Sequence, residues 1–167
     1  MILDVDKFRA ICGVGESVGE VNNNIETAIE STEQIEIKER LGNVLFSDIE
    51  KNKANYLLLL NGGEYTYDNK IYSFKGLLYA IAWQSFANYT KLSNNNTTAY
   101  GTVFKNSEYS QAVTDDNLKK AVNIYQERAT YYINEVINYL KLTNNLLYMQ
   151  NCDLNNSRFV QFNVIGG

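Results

Sequence analysis

The sequence predicts a mainly α protein: a helical bundle that carries a β-hairpin, an extended arm and a C-terminal β-strand. Three observations lead there. Between Asp115 and Leu142 the residues Leu118, Val122, Tyr125, Ala129, Tyr132, Val136 and Tyr139 follow steps of four and three, which is one stripe of a long helix. Between Lys75 and Leu92 apolar and aromatic residues cover nearly every face, the pattern of a helix buried on all sides. Glu64 to Tyr67 and Ile71 to Phe74 alternate on either side of Asp68-Asn69-Lys70, a hairpin signal.

Composition narrows the class. With 167 residues, of which 45% are hydrophobic and 20% charged, the chain can bury one core and is not of disordered composition. A net charge of -4 and a pI near 4.9 argue against a broad grip on nucleic acid. The acidic excess lies between Glu16 and Glu50. Met1 is not followed by a signal-like segment, and no apolar run is long enough to cross a bilayer. No membrane partner is expected, and the Asn-x-Thr triplets at Asn88, Asn95 and Asn96 are expected to be idle. Histidine is absent, and Cys12 and Cys152 have no CxxC spacing, so two inert thiols are expected, with no metal and no cofactor. Thirteen tyrosines exceed what a core holds easily, since each hydroxyl needs a partner or water; tyrosine-flanked helices suit interfaces that are apolar inside and wet at the rim.

In chain order, residues 1–19 read as an N-terminal arm. Val5, Phe8 and Ile11 allow a short helix started by Asp4 or Asp6. Gly13 to Gly19 has the spacing GxGxxxG with no preceding strand and no Lys-Ser/Thr, so it is a connector and not a phosphate loop. A bundle core is expected over 20–143. Its first helix spans Glu20 to Ser31 and its second Thr32 to Asn52, the latter opened by a Ser31–Gln34 capping box. Gly42 in mid-helix predicts a tight helix crossing there. The glutamates Glu26, Glu30, Glu33, Glu36 and Glu39 read as a solvated face; no histidine or nucleophile accompanies them as an acid–base or metal site would require. Residues 54–60 give a brief buried helix closed by Gly62-Gly63, followed by the hairpin at 64–74. Ser73 is a candidate cap for the helix over Lys75 to Leu92, in which Trp83 reads as core packing. An extended arm is expected over 97–112, then the long helix with Thr114 as N-cap and Asn144-Asn145 as a left-handed stop. Residues 144–167 form an asparagine-rich linker and a docking strand, in which Phe159, Val160, Phe162, Val164 and Ile165 are β-prone.

Three stretches carry a family resemblance. Ile25-x-x-Ala28 with Ile37-x-x-x-Leu41-Gly42-x-x-Leu45 is similar to the opening of the small helical head–tail connector (adaptor) proteins of tailed bacteriophages. Asn61-Gly62-Gly63-Glu64-Tyr65, followed by Lys75-Gly76-Leu77-x-x-Ala80, resembles the variant in phages of Bacteroidetes hosts, including crAss-like phages. Thr102-Val103, Tyr109-Ser110, the tyrosine-rich helix and Phe162-x-Val164-x-Gly166 complete it.

The resemblance implies a virion protein that forms a neck ring on the portal, twelve-fold by analogy with the family, in the host cytoplasm during assembly. Such a ring extends the DNA channel without binding the genome specifically and offers a platform to other neck or tail proteins. It implies no catalysis. Related readings are a tail-terminator or other neck ring protein, and a bacterial helical scaffold. Candidate contacts to neighbouring copies or the portal are Tyr65, Tyr67, Tyr72, Phe104, Phe159, Phe162, Val164 and Ile165. Candidate channel-facing acids are Glu26, Glu30 and Glu33, since a lumen that repels phosphate lets the genome slide.

Overall fold

The computed structural model describes residues 1–15, 20–93, 95–98, 101–104 and 115–150. The chain is mainly helical, with α1 (Val5–Cys12), α2 (Glu20–Ser31), a π-helical segment (Thr32–Ile37), α3 (Lys38–Leu41), α4 (Asn43–Lys51), a 3-10 turn (Lys53–Tyr56) and α5 (Leu57–Asn61). Strands β1 (Gly63–Tyr67) and β2 (Lys70–Phe74) follow, then α6 (Leu77–Ser93), β3 (Asn95–Thr98), β4 (Gly101–Phe104) and α7 (Asp115–Leu142).

Helix α6 is the axis of the bundle, touched by α1, α2, the π segment, α5 and α7. Its Leu77, Ala80, Ile81, Ala82, Ser85 and Ala87 are buried, as an all-round apolar sequence requires. Helix α7 lies along it with the stripe turned inward: Val122, Ala129 and Val136 are buried and Leu118, Tyr125, Tyr132 and Tyr139 half-buried, while Ile133 and Leu140, beside the stripe, are buried as well. Between the two helices Trp83 packs on Phe86 and Tyr125, and the Arg128 guanidinium lies 4.5 Å from the Trp83 ring centroid. After α7, Asn144 adopts φ 51°, and residues 146–150 turn helical again where a linker was expected. Asn145 caps this turn through Oδ1, which accepts from Tyr148 N at 3.1 Å, and Tyr148 is buried.

Within the expected arm 1–19, the described residues 1–15 pack against the core. Asp4 accepts from Lys7 N at 2.7 Å as the N-cap of α1, and Gly13 closes the helix at φ 69°. Ile2, Leu3 and Phe8 join the hydrophobic core, with Phe8 edge-on to Phe86. Burying a side chain of Phe8's size stabilises by about 1.5–3 kcal/mol, which a loose segment would forfeit. Cys12 rests on α6, its Sγ donating to the Ala82 carbonyl at 3.5 Å, and burial pushes its thiol pKa up to about 12.

Glu33 departs furthest from expectation. It is 1% exposed, so it belongs to no solvated face and no channel wall. Its Oε1 accepts from Leu3 N at 2.7 Å, and both oxygens accept from Ile2 N at 2.8 Å. The Lys53 ammonium donates to the Met1 carbonyl at 2.7 Å alongside. The helical turn around Glu33 explains its direction. Ile25, Ile29, Glu33, Ile37 and Leu41 are all buried at steps of four, and in an α-helix such steps drift by about 40° each. The wider π turn over Thr32–Ile37 takes up that drift and returns Glu33 and Ile37 to the inner face. Ser31 is therefore helical, makes no capping hydrogen bond, and α2 runs through to Leu41 without an interruption at Thr32. Asn88 of α6 secures the same turn, donating to both Glu36 carboxylate oxygens and to Thr32 Oγ1.

Glycines mark the two sharpest changes of direction. Gly42 does not sit inside one helix; it breaks it, with φ 82° and ψ 152°, and its carbonyl accepts from Phe46 N to begin α4. Gly62 and Gly76 cross at the foot of the hairpin, with φ 76° and 84°. A Cβ on Gly76 would lie 2.3 Å from Gly62 N, and one on Gly62 would lie 2.3 Å from the Phe74 carbonyl oxygen. Helix α6 starts after this crossing, at Leu77, while Ser73 pairs with Glu64 in the hairpin and caps nothing. In the expected arm, β3 and β4 pair antiparallel from Asn95↔Phe104 to Thr98↔Gly101; 99–100 and 105–112 lie outside the described residues.

Gly76→Ala should cost about 2–4 kcal/mol through backbone overlap and positive φ, read as a lower unfolding midpoint in denaturant. Glu33→Ala should cost about 2–4 kcal/mol by leaving two buried N–H groups without an acceptor. The pH dependence has a definite sign. Burial raises the Glu33 pKa above its ordinary value, against the pull of the Leu3 and Ile2 amides and the N-terminal ammonium. A raised carboxyl pKa contributes stability that is complete below the ordinary glutamate range and is lost as pH rises through the folded value. Denaturation of the native protein should show that loss above the ordinary carboxylate range, and Glu33→Gln should remove it.

Candidate assembly surface

The hairpin is built from turn chemistry upward. Asp68 and Asn69 adopt φ 50° and 57°, the left-handed pair of a two-residue turn whose twist matches the strands. This fixes the register from Tyr67↔Lys70 to Gly63↔Phe74 and sets Tyr65 opposite Tyr72. Directly opposed residues share a face, so Tyr65, Tyr67, Tyr72 and Phe74 line one side. Their inner members meet α7. Tyr139 stacks on Phe74 at 4.8 Å between centroids and stands edge-on to Tyr65 at 5.0 Å, while Tyr65 stacks on Tyr72 at 5.4 Å. Such pairs contribute about 0.5–1.5 kcal/mol each beyond area burial, so the foot of the hairpin is held firmly. Burial raises the Tyr65 pKa, with smaller pushes from Tyr72, Glu135 and Tyr139.

The outer half is bare. Ile71 is 73% exposed, Tyr67 43% and Tyr72 36%. Among the described residues the hairpin is a two-stranded sheet to itself, and none of them pairs with its outer edges. Of the candidate contact residues, Tyr65 is thus occupied within its own chain, Tyr72 stacks on it with its remaining surface exposed, and Tyr67 is exposed without a ring partner among the described residues. Phe104 ends β4 opposite Asn95, and its side chain lies outside the described residues, as do Phe159, Phe162, Val164 and Ile165. Glu26 and Glu30 are exposed on α2, and Glu33 is taken by the N-terminal backbone.

Sequence reading missed a second feature of this region. An open groove of about 560 Å³ runs between the foot of the hairpin and α7, lined among others by Glu64, Phe74, Lys75, Tyr131, Tyr132 and Glu135. The Tyr131 hydroxyl is hydrogen-bonded to Glu135, which raises the Tyr131 pKa. The groove pairs residues of two distant elements, and only the exposed Tyr131 on the polar flank of α7 signalled it. Among the described residues no three Cys, Asp or Glu side chains are gathered to hold a metal ion, and no helix is long and apolar enough to cross a membrane.

No curated protein and no solved structure matches this chain. A family model described as a family of unknown function, DUF6712, matches residues 37–158. That stretch holds the hairpin, the groove and the α6–α7 pair, and it is more than half of the chain, which therefore belongs to DUF6712.

Proposed function

We propose that this chain is a structural subunit of a tailed-phage virion, a head–tail connector that forms a ring on the portal, extends the DNA channel and offers a docking platform to neck or tail proteins. The observation that carries the reading is the hairpin: fixed at its foot by Tyr139 and by the Gly62–Gly76 crossing, and apolar yet uncovered at its tip. A rigid projection with exposed Tyr67, Ile71 and Tyr72 is suited to insertion against a second protein surface. The sequence resemblance supplies the identity of that surface, a neighbouring copy or the portal. The working partners are self, twelve-fold by resemblance, the portal, further neck proteins, and DNA that passes without specific binding. The working location is the virion neck, reached from the host cytoplasm. Glu26 and Glu30 remain the candidates for a phosphate-repelling wall. The proposal assigns the chain no catalysis and no cofactor.

The test is the mass of the purified protein in solution with and without portal protein. A portal-dependent ring supports the connector. A ring that forms without engaging portal favours a tail-terminator or other neck protein, and a monomer that never joins portal favours a helical scaffold. Ile71→Glu combined with Tyr67→Glu should abolish ring formation, or weaken it at least roughly a hundred-fold, while leaving far-ultraviolet helicity unchanged. Undiminished assembly of that variant would remove the hairpin from the interface.

A further inference from the structure

We infer that Asn61-Gly62 is a latent deamidation site, shielded in the folded protein by the Gly62–Gly76 crossing and exposed whenever that crossing opens. This goes beyond the connector reading and does not rest on it.

Asn61-Gly62 is the one asparagine–glycine pair in the sequence. Glycine is the successor that most favours deamidation, because no side chain crowds the backbone nitrogen that must attack. The reaction is a hydrolysis with water as its co-reactant. The Gly62 N–H gives its proton to a solvent base, and the nitrogen bonds to Asn61 Cγ. The side-chain amide nitrogen takes up a proton and leaves as ammonia, which closes a five-membered imide. Water then cleaves one of the two bonds from the imide nitrogen to a carbonyl carbon. Cleavage on the side-chain side gives an aspartyl residue at position 61. Cleavage on the other side gives an iso-aspartyl residue, whose main chain runs through Cγ. One water enters, one ammonia departs, and nothing is oxidised or reduced.

Solvent does reach the amide, since Asn61 is exposed and lines the groove. What the fold withholds is the nucleophile. The Gly62 N–H donates to the Leu58 carbonyl at 2.9 Å, so the proton that must leave is engaged. The Asn61 amide donates to the Leu57 carbonyl at 3.1 Å, and Asn61 itself is the last residue of α5, so imide formation must first undo a helical turn. Gly76 lies directly over the reacting bond: a Cβ on it would be 2.3 Å from Gly62 N and 2.7 Å from the Asn61 carbonyl carbon. The crossing also dictates the lability that it hides, because at φ 76° and against the Phe74 carbonyl position 62 has to be glycine. Neither product restores the original fit. An aspartyl side chain loses the donor to Leu57 and sets a negative charge at the C-terminal end of α5, in a groove that already holds Glu64 and Glu135. An iso-aspartyl link inserts an atom into the main chain where even an added Cβ overlaps. One opening that lasts long enough is thus recorded covalently.

The test is peptide mass mapping of the full-length protein after incubation at mildly alkaline pH, native and unfolded in denaturant. Position 61 should deamidate at least roughly ten-fold more slowly in the native chain, a ratio set by the free energy of local opening. The Gly62 amide should be protected from hydrogen exchange by no more than that ratio, because exchange needs only the N–H released and the imide needs the turn undone as well. Gly76→Ala should speed native deamidation at least roughly ten-fold, whereas Glu33→Ala, which loosens the fold at residues 2 and 3, should not. If Gly76→Ala does not fold, the native-to-unfolded ratio and the Gly62 exchange decide on the unaltered chain. Equal rates in the native and unfolded chain, or no deamidation at position 61 in the unfolded chain, would overturn the inference. So would equal acceleration by the two variants, since the gate would then be the whole fold and not the crossing. Every readout is on the isolated protein, so failure of ring assembly on portal removes the connector reading and leaves this one standing.

Discussion

A helix that is apolar on nearly every face cannot be left with a wet side, and that constraint shapes this protein. Helix α6 has 17 residues and almost no amphipathic bias, so no single partner satisfies it. Helix α7 covers one side with the stripe from Val122 to Leu140, α2 and the π segment cover another, α5 meets its start, and α1 closes over Phe86. The remaining elements follow from bringing those covers into position. The Gly42 break folds α4 back, the 3-10 turn leads to α5, and the hairpin is the link between α5 and α6.

What the sequence made legible is what a local pattern can encode. The stripe of α7, the left-handed Asp68-Asn69 turn and the Asp4 cap each depend on residues within a few positions of one another, and each lies where pattern and turn chemistry point. The illegible features depend on partners remote in sequence. Glu33 looks like one more solvent-facing acid on a charged helix, and only the amide of Ile2, 31 residues away, makes it an internal acceptor. Gly42 reads as a helix-interior glycine until its φ of 82° reveals a break. The start of α6 was misplaced because Ser73 has capping chemistry, whereas the hairpin claims its backbone and the Gly62–Gly76 crossing sets where helix can begin. The uncovered hairpin tip was legible as apolar residues in a short strand. The groove was not, because its walls come from two elements about sixty residues apart in the chain.

A helical bundle hosts many activities, so architecture alone names none of them. The informative features are those that the bundle does not need for its own stability. Ile71 could be polar without loss to the core, and Tyr67 stands clear of the aromatic ladder that ends at Tyr72. Membership of DUF6712 covers the part of the chain in which these surplus features lie, whereas the clamp that Glu33 makes on residues 2 and 3 falls before the matched stretch. The matched stretch thus holds the α6–α7 pair and its hairpin, while residues 2, 3 and 33 lie outside it.

At the Gly62–Gly76 crossing, main chain rests on main chain with no side chain between them. Side chains cushion a joint, because they change rotamer and let one element swivel over another. Bare backbone has no such slack. A load applied to the end of β1–β2 is therefore passed as torque to the first turn of α6, at the centre of the fold, before any peripheral helix yields. The joint behaves as a weld and not as a hinge.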